Sequence, residues 1–147
     1  MTPEVRALQE ESGYPGMKVM QFAFDSRENG NYLPHGYPVN SVCYSGTHDN
    51  LTLRQWLEEA DPRDIALAKA YLGLNDEEGY VSGLIRGCMA TVSRLCVIQM
   101  QDWLDLGGFS RMNAPGSLSV AFCDSADLLC QLRRGSSRAH APGPVPV

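Results

Sequence analysis

A chain of 147 residues, 44% hydrophobic and 20% charged, has the length of one domain and the composition of a globular one. No apolar run approaches the roughly 20 residues that a helix needs to span a bilayer. Met1-Thr2-Pro3-Glu4-Val5, continuing into Arg6, Glu10 and Glu11, lacks the basic-then-apolar order of a secretory signal, so no membrane contact and a cytoplasmic location are expected. A net charge of −5 with no Lys/Arg stripe argues against a nucleic-acid partner. The five cysteines, Cys43, Cys88, Cys96, Cys123 and Cys130, are odd in number and show no CxxC or Cys/His ligand spacing. They indicate neither a disulfide framework nor a metal site, and buried thiols in a reducing compartment are expected. No P-loop, GxGxxG or HExxH motif asks for a cofactor.

Gly13-Tyr14-Pro15-Gly16 is a turn signal, and Met17 to Phe24 after it reads as a largely buried strand ending at Asp25. Ser26 to Asn40, rich in Asn, Gly, Pro and Tyr, predicts a long functional or disordered loop. Ser41 to Ser45 predicts a second strand, running into Gly46-Thr47-His48-Asp49-Asn50. Thr52 with Gln55 makes a capping-box pattern for a helix through Trp56, Leu57 and Ala60, and Asp61-Pro62 starts another that runs to Leu72 and stops at Gly73. After the acidic turn Asn75-Asp76-Glu77-Glu78-Gly79, the spacing of Val81, Leu84, Ile85, Cys88, Val92, Leu95 and Cys96 predicts one long amphipathic helix. Val97 to Met100 follows as a third strand, ahead of Gln101-Asp102 and the apolar turn Trp103-Leu104.

Strands followed by polar loops and helices, with an acid just past each strand, are what a parallel α/β fold produces when its βα loops carry chemistry. Spacing alone leaves open whether this is a piece of a (β/α)8 barrel or a small open sheet. From Ser117 the character changes: residues 117–147 carry three Arg against two Asp and finish in Pro142-Gly143-Pro144-Val145-Pro146-Val147, so the last part is expected to be disordered.

Gly46-Thr47-His48-Asp49-Asn50 is the densest polar constellation, because an acid, an imidazole and an amide after a buried strand can converge on one small polar ligand. Helix capping by Asp49, Asn50 and Thr52 is the plainer alternative. His35 in Tyr32-Leu33-Pro34-His35-Gly36-Tyr37 offers a ligand-facing imidazole with tyrosines suited to sugar rings, or a loop packed on its own domain. Asp25 reads as a ligand contact or a capping acid. Arg111-Met112-Asn113-Ala114-Pro115-Gly116 reads as a binding loop or a bare turn. Cys88 and Cys96 read as core residues rather than nucleophiles.

Taken together, Pro15 to Asp25, Asn31-Tyr32-Leu33-Pro34-His35, Gly46 to Asn50, Gln101-Asp102 and Arg111 to Gly116 closely resemble the C-terminal part of the 4-α-glucanotransferases, also called amylomaltases or disproportionating enzymes, of glycoside hydrolase family seventy-seven. The resemblance covers residues 3–116. It implies a (β/α)8 TIM barrel, incomplete as given, with residues 1–116 as a C-terminal portion of the catalytic barrel and 117–147 as a divergent tail. It also implies a retaining transfer of an α-1,4-glucan segment to the 4-hydroxyl of an acceptor glucan or glucose. Maltooligosaccharides and glucose are then the partners.

The resemblance gives Asp49 the role of the family's transition-state-stabilising carboxylate, with His48 beside it as a sugar contact and Asp25 and Asn113 as further substrate contacts. The family's nucleophile lies in an arginine-containing motif and its acid/base glutamate in a Glu-Asp-Leu-Gly motif. Neither occurs in these residues, so the chain is expected to be a fragment that starts after both acids and is inactive alone. Ser119 to Cys123 stands where the family continues into Gly-Asn-Trp, a departure for which a shifted reading frame near Leu118 is the expected cause. A non-catalytic maltooligosaccharide-binding or interaction module is the alternative.

Overall fold

In a computed structural model of the chain, residues 2–27 and 32–111 are described. Three short strands form a parallel sheet in the order β1-β2-β3: β1 (Gly16–Val19), β2 (Ser41–Tyr44) and β3 (Leu95–Val97). Gly16 to Val19 stand opposite Ser41 to Tyr44, and Val42, Cys43 and Tyr44 opposite Leu95, Cys96 and Val97. Side chains alternate across a strand. Ser41, Cys43 and Cys96 therefore share the face that helices cover, while Met17, Val42, Tyr44, Leu95 and Val97 share the other.

The helices are α1 (Pro3–Ser12), α2 (Leu53–Glu59), α3 (Pro62–Leu72), α4 (Tyr80–Met89) and the single turn α5 (Met100–Trp103). The signals read for α2 and α3 are present as hydrogen bonds. Thr52 Oγ1 accepts from Gln55 N at 3.2 Å, although the Gln55 side chain turns to Glu59 instead of closing the box. Asp61 Oδ1 accepts from Arg63 N at 2.9 Å with Pro62 behind it, and Gly73 ends α3 at φ 63°. Phe24, Trp56 and Tyr71 meet in the core, with ring centroids 6.3 Å apart for Phe24–Trp56 and 5.9 Å for Phe24–Tyr71.

Three expectations are corrected. The first strand stops at Val19, and Met20–Phe24 is 3₁₀ helix. Its buried residues are Met20, Gln21, Ala23 and Phe24 while Phe22 is exposed, a spacing of one face of a tight helix rather than strand alternation. The long helix ends at Met89, because Thr91 Oγ1 takes the Cys88 carbonyl at 2.9 Å and Arg94 N is drawn to Val39 O at 3.0 Å. Leu95 and Cys96 thus belong to the third strand, which lies at 95–97 rather than 97–100. Helix α1, for which the sequence reading had no element, carries a proline at its start and Gly13 at φ 70° as its stop.

Cys43 and Cys88 are fully buried, Cys96 is partly buried, and all three are free. Hydrogen bonding to the Cys43 sulfur and burial push the Cys88 thiol up, and burial pushes Cys96 up to about 11. Iodoacetamide at neutral pH should leave Cys43 and Cys88 unmodified in the folded chain and label them after urea, as read by peptide mass mapping. Labelling of both without denaturant would contradict this packing.

Candidate functional site

β2 hands over to a loop that is fastened at both ends. Ser45 N donates to Val97 O at 3.1 Å, continuing the sheet by one bond, and Ser45 Oγ donates to Asp102 Oδ2 at 2.6 Å. The other oxygen of Asp102 accepts from Leu53 N at 2.8 Å, so one carboxylate ties the residue after β2 to the first turn of α2. Gln21, from the 3₁₀ segment after β1, donates Nε2 to Leu51 O at 2.7 Å and reaches Ser45 O at 3.4 Å. Gly46 leaves room for both amides: a Cβ there would meet Gln21 Nε2 at 3.0 Å and Gln99 Nε2 at 3.1 Å and press each side chain back by a few tenths of an ångström.

Within the loop, Thr47 N and Oγ1 both donate to Asn50 Oδ1, at 2.9 and 2.7 Å, and Asn50 N returns to Thr47 O at 3.0 Å. Thr47 and Asn50 close the turn, and His48 and Asp49 occupy its tip. His48 Nε2 lies 3.2 Å from Asp49 Oδ2, with the side chains 67% and 59% exposed. The cap of α2 is Thr52, so the capping alternative applies to that residue. Arg111 Nη2 donates to Asp49 O at 3.1 Å and thereby joins the Arg111 motif to this loop.

Asp102 is 1% exposed, and burial raises its pKa against the two hydrogen bonds that lower it. Asp25 follows β1 on the same edge of the sheet. Arg27 grips it through Nε at 2.8 Å, Nη2 at 2.7 Å and its own backbone N at 3.0 Å, and this holds the carboxyl at about 2. An acid therefore follows the C-terminal end of each strand, and the three differ in character: Asp25 is paired, Asp49 is exposed, and Asp102 is buried.

His35 is exposed and bound to its own domain. Its N and Nδ1 lie 3.1 and 2.8 Å from Tyr71 OH, and Tyr37 is buried, so this part of the loop is stitched to α3. Lys18 Nζ sits 5.2 Å from the Tyr32 ring centroid. Asn31, Asn113 and the expected 116/117 boundary lie outside the described residues. A cleft of about 300 Å³ lined by Arg54, Leu57, Ile65, Lys69 and Tyr80 holds none of the candidate residues, because His48 and Asp49 stand on an open surface. Reading the sequence alone missed the Ser45–Asp102–Leu53 clasp and the Gln21 brace. Their signals were present, as a serine before the glycine, an acid after the third strand and a lone glutamine in an apolar run.

Parallel strands in sequential order with polar residues gathered past their C-terminal ends define an α/β protein of the βα-loop-site type. Residues 1–122 match the family model described as 4-alpha-glucanotransferase, glycoside hydrolase family 77, and the chain belongs to that family. It is 42% identical over 120 residues to the 4-alpha-glucanotransferase of Clostridium butyricum and 44% over 123 residues to that of Thermus thermophilus, covering 81% and 79% of this chain. Among solved structures it is similar to amylomaltase from Streptococcus agalactiae in complex with acarbose, with a TM-score of 0.74 and 35% identity over 81% of this chain and 24% of that one. The amylomaltase of Corynebacterium glutamicum, 19% identical with a TM-score of 0.58 over 80% of this chain and 22% of that one, shares the fold. The chain spans about a quarter of the length of the curated relatives it matches.

Proposed function

We propose that this chain forms the part of a 4-alpha-glucanotransferase site that carries its transition-state-stabilising carboxylate. The reaction is retaining transfer of an α-1,4-glucan segment to the 4-hydroxyl of a glucan or glucose acceptor, on a (β/α)8 barrel. The observation that carries the reading is the clasped loop, which holds Asp49 and His48 at its tip beyond the central strand.

In a retaining transfer one carboxylate attacks the anomeric carbon and another group protonates the leaving oxygen, through an oxocarbenium-like transition state. Those two groups come from sequence outside the 147 residues. Asp49 stabilises the positive charge developing on the sugar, and His48 beside it donates to a ring hydroxyl. Asp25, kept ionised by Arg27, accepts from a hydroxyl further along the groove, and Asn113 adds an amide contact. The free cysteines support a reducing, cytoplasmic setting. Among the described residues no helix is long and apolar enough to cross a membrane.

A chimera tests this: residues 1–122 replace the matching segment of the clostridial relative, in one continuous chain, and glucose release from maltotriose is followed. Activity is expected from the chimera and not from the 147-residue chain alone. A soluble, folded but inactive chimera would overturn the proposal, and maltooligosaccharide binding without turnover by that chimera would favour the non-catalytic module.

A further inference from the structure

The sheet face opposite the helices is apolar and, among the described residues, largely uncovered. Met17 is 64% exposed, Leu95 55% and Val97 37%, with Val42 and Tyr44 half-buried between them, and Val19 is the buried residue of the six that share this face. Parallel sheets are found almost always with both faces covered, because their strands are apolar on both. Here one side packs Cys43 against Cys88 of α4 in the core. The other has no cover among the described residues.

Strand order identifies what belongs there. In a doubly wound sheet the order reverses at a switch point, and helices then lie on both faces. In this chain β1, β2 and β3 are sequential neighbours, all parallel, so right-handed crossovers place every connecting helix on one side. Sequential winding leaves the second face to be covered by closure of the sheet on itself, where inward side chains of other strands fill the interior in layers. Among the described residues both outer edges, that of β1 and that of β3, are also unpaired. The matched segment is about a quarter of the clostridial relative, whose remaining length is ample for the strands that closure of a barrel needs.

We infer that Met17, Val42, Tyr44, Leu95 and Val97 form a docking surface for the complementary strands of a 4-alpha-glucanotransferase barrel, and that the 147-residue chain binds such a polypeptide non-covalently when it is supplied as a separate chain. This rests on the barrel reading proposed above. The occupant is a barrel remnant carrying parallel strands and an apolar inner layer, not a helix or a lipid surface.

The test is co-expression of the full 147-residue chain with the clostridial relative from which the matching segment has been deleted, followed by affinity capture, size-exclusion chromatography and the maltotriose assay. Co-elution is expected, with transfer activity that neither polypeptide shows alone. Leu95→Arg and Met17→Arg change residues already exposed in this chain, so each should leave its circular dichroism unchanged and abolish co-elution. Failure of two soluble polypeptides to associate, while the continuous chimera is active, would overturn the docking surface and leave the proposed function standing. A homodimer that Leu95→Arg breaks and the truncated enzyme does not displace would also overturn it, since the occupant would then be a second copy. Co-elution sensitive to both arginines but inactive, alongside an inactive chimera, would support the surface and count against the proposed function.

Discussion

Asp102→Ala lowers the stability of the folded chain by about 2–4 kcal/mol, as read from urea unfolding, because it strands two buried groups at once. Leu53 N loses its partner at the start of α2, and Ser45 Oγ loses the acceptor that fixes the end of β2. Asp102→Asn keeps an acceptor for Leu53 N and costs about 1 kcal/mol, the ordinary net value of one hydrogen bond. The two variants also part in their pH dependence. Burial raises the Asp102 pKa above its usual 3.8, so between the two values the folded chain holds the proton more tightly than the unfolded one. Its stabilising contribution is complete below the unfolded value and is lost as pH rises through the folded value. The stability gap between the native chain and Asp102→Asn therefore narrows as pH rises from about 3 toward 7. Asp25, Asp61 and Glu78 act in the opposite sense: their arginine partners lower their pKa values, and their contribution is lost as pH falls. A gap that stays constant with pH would mean that Asp102 is as solvated in the folded chain as in the unfolded one.

The elements that were legible in the sequence are those written in local chemistry. Thr52, Asp61-Pro62 and Gly73 fix the ends of α2 and α3 through bonds spanning a few residues, and each is where its side chain demands. Errors arose where tertiary contacts override local spacing. The apolar series Val81 to Cys96 fits a single helix face, yet its last members are taken by the sheet, because Cys96 stands beside Cys43 and Ser93 Oγ lies 2.8 Å from Ser41 Oγ. Likewise Met17 to Phe24 is apolar enough for a strand, but Gln21 is needed to brace a carbonyl 30 residues away, and the chain coils to deliver it. The same division applies to the candidate site. His48 and Asp49 were visible as a cluster in one pentapeptide, whereas Asp102, 57 residues from Ser45, shows its role only once the strands are paired. His35 had the composition of a ligand contact, and its Tyr71 partner lay on an element that spacing alone cannot bring near.

Asp49→Asn, placed in the continuous chimera, lowers the rate of transfer from maltotriose on the order of 10²–10³-fold, the usual cost of removing one group aimed at transition-state charge. The effect is electrostatic. Asparagine keeps the shape and one acceptor, so substrate is still held, but the full negative charge opposite the developing oxocarbenium ion is gone. The fall should therefore appear mainly in kcat, with KM changing far less. Because the Asp49 side chain is 59% exposed, urea unfolding should move by no more than about 0.5 kcal/mol. Asn50→Ala gives the contrasting pattern. It removes the acceptor of both Thr47 bonds and loosens the turn without touching the acid, so stability falls while part of the activity survives. If Asp49→Asn instead raises KM with kcat intact, the carboxylate binds ground-state hydroxyls and the charge-stabilising role falls to another acid. The clasp explains why the two effects separate: with Ser45 and Leu53 tied to one buried carboxylate, the loop's position is set from beneath, and a change of the exposed carboxylate at its tip leaves that anchoring in place.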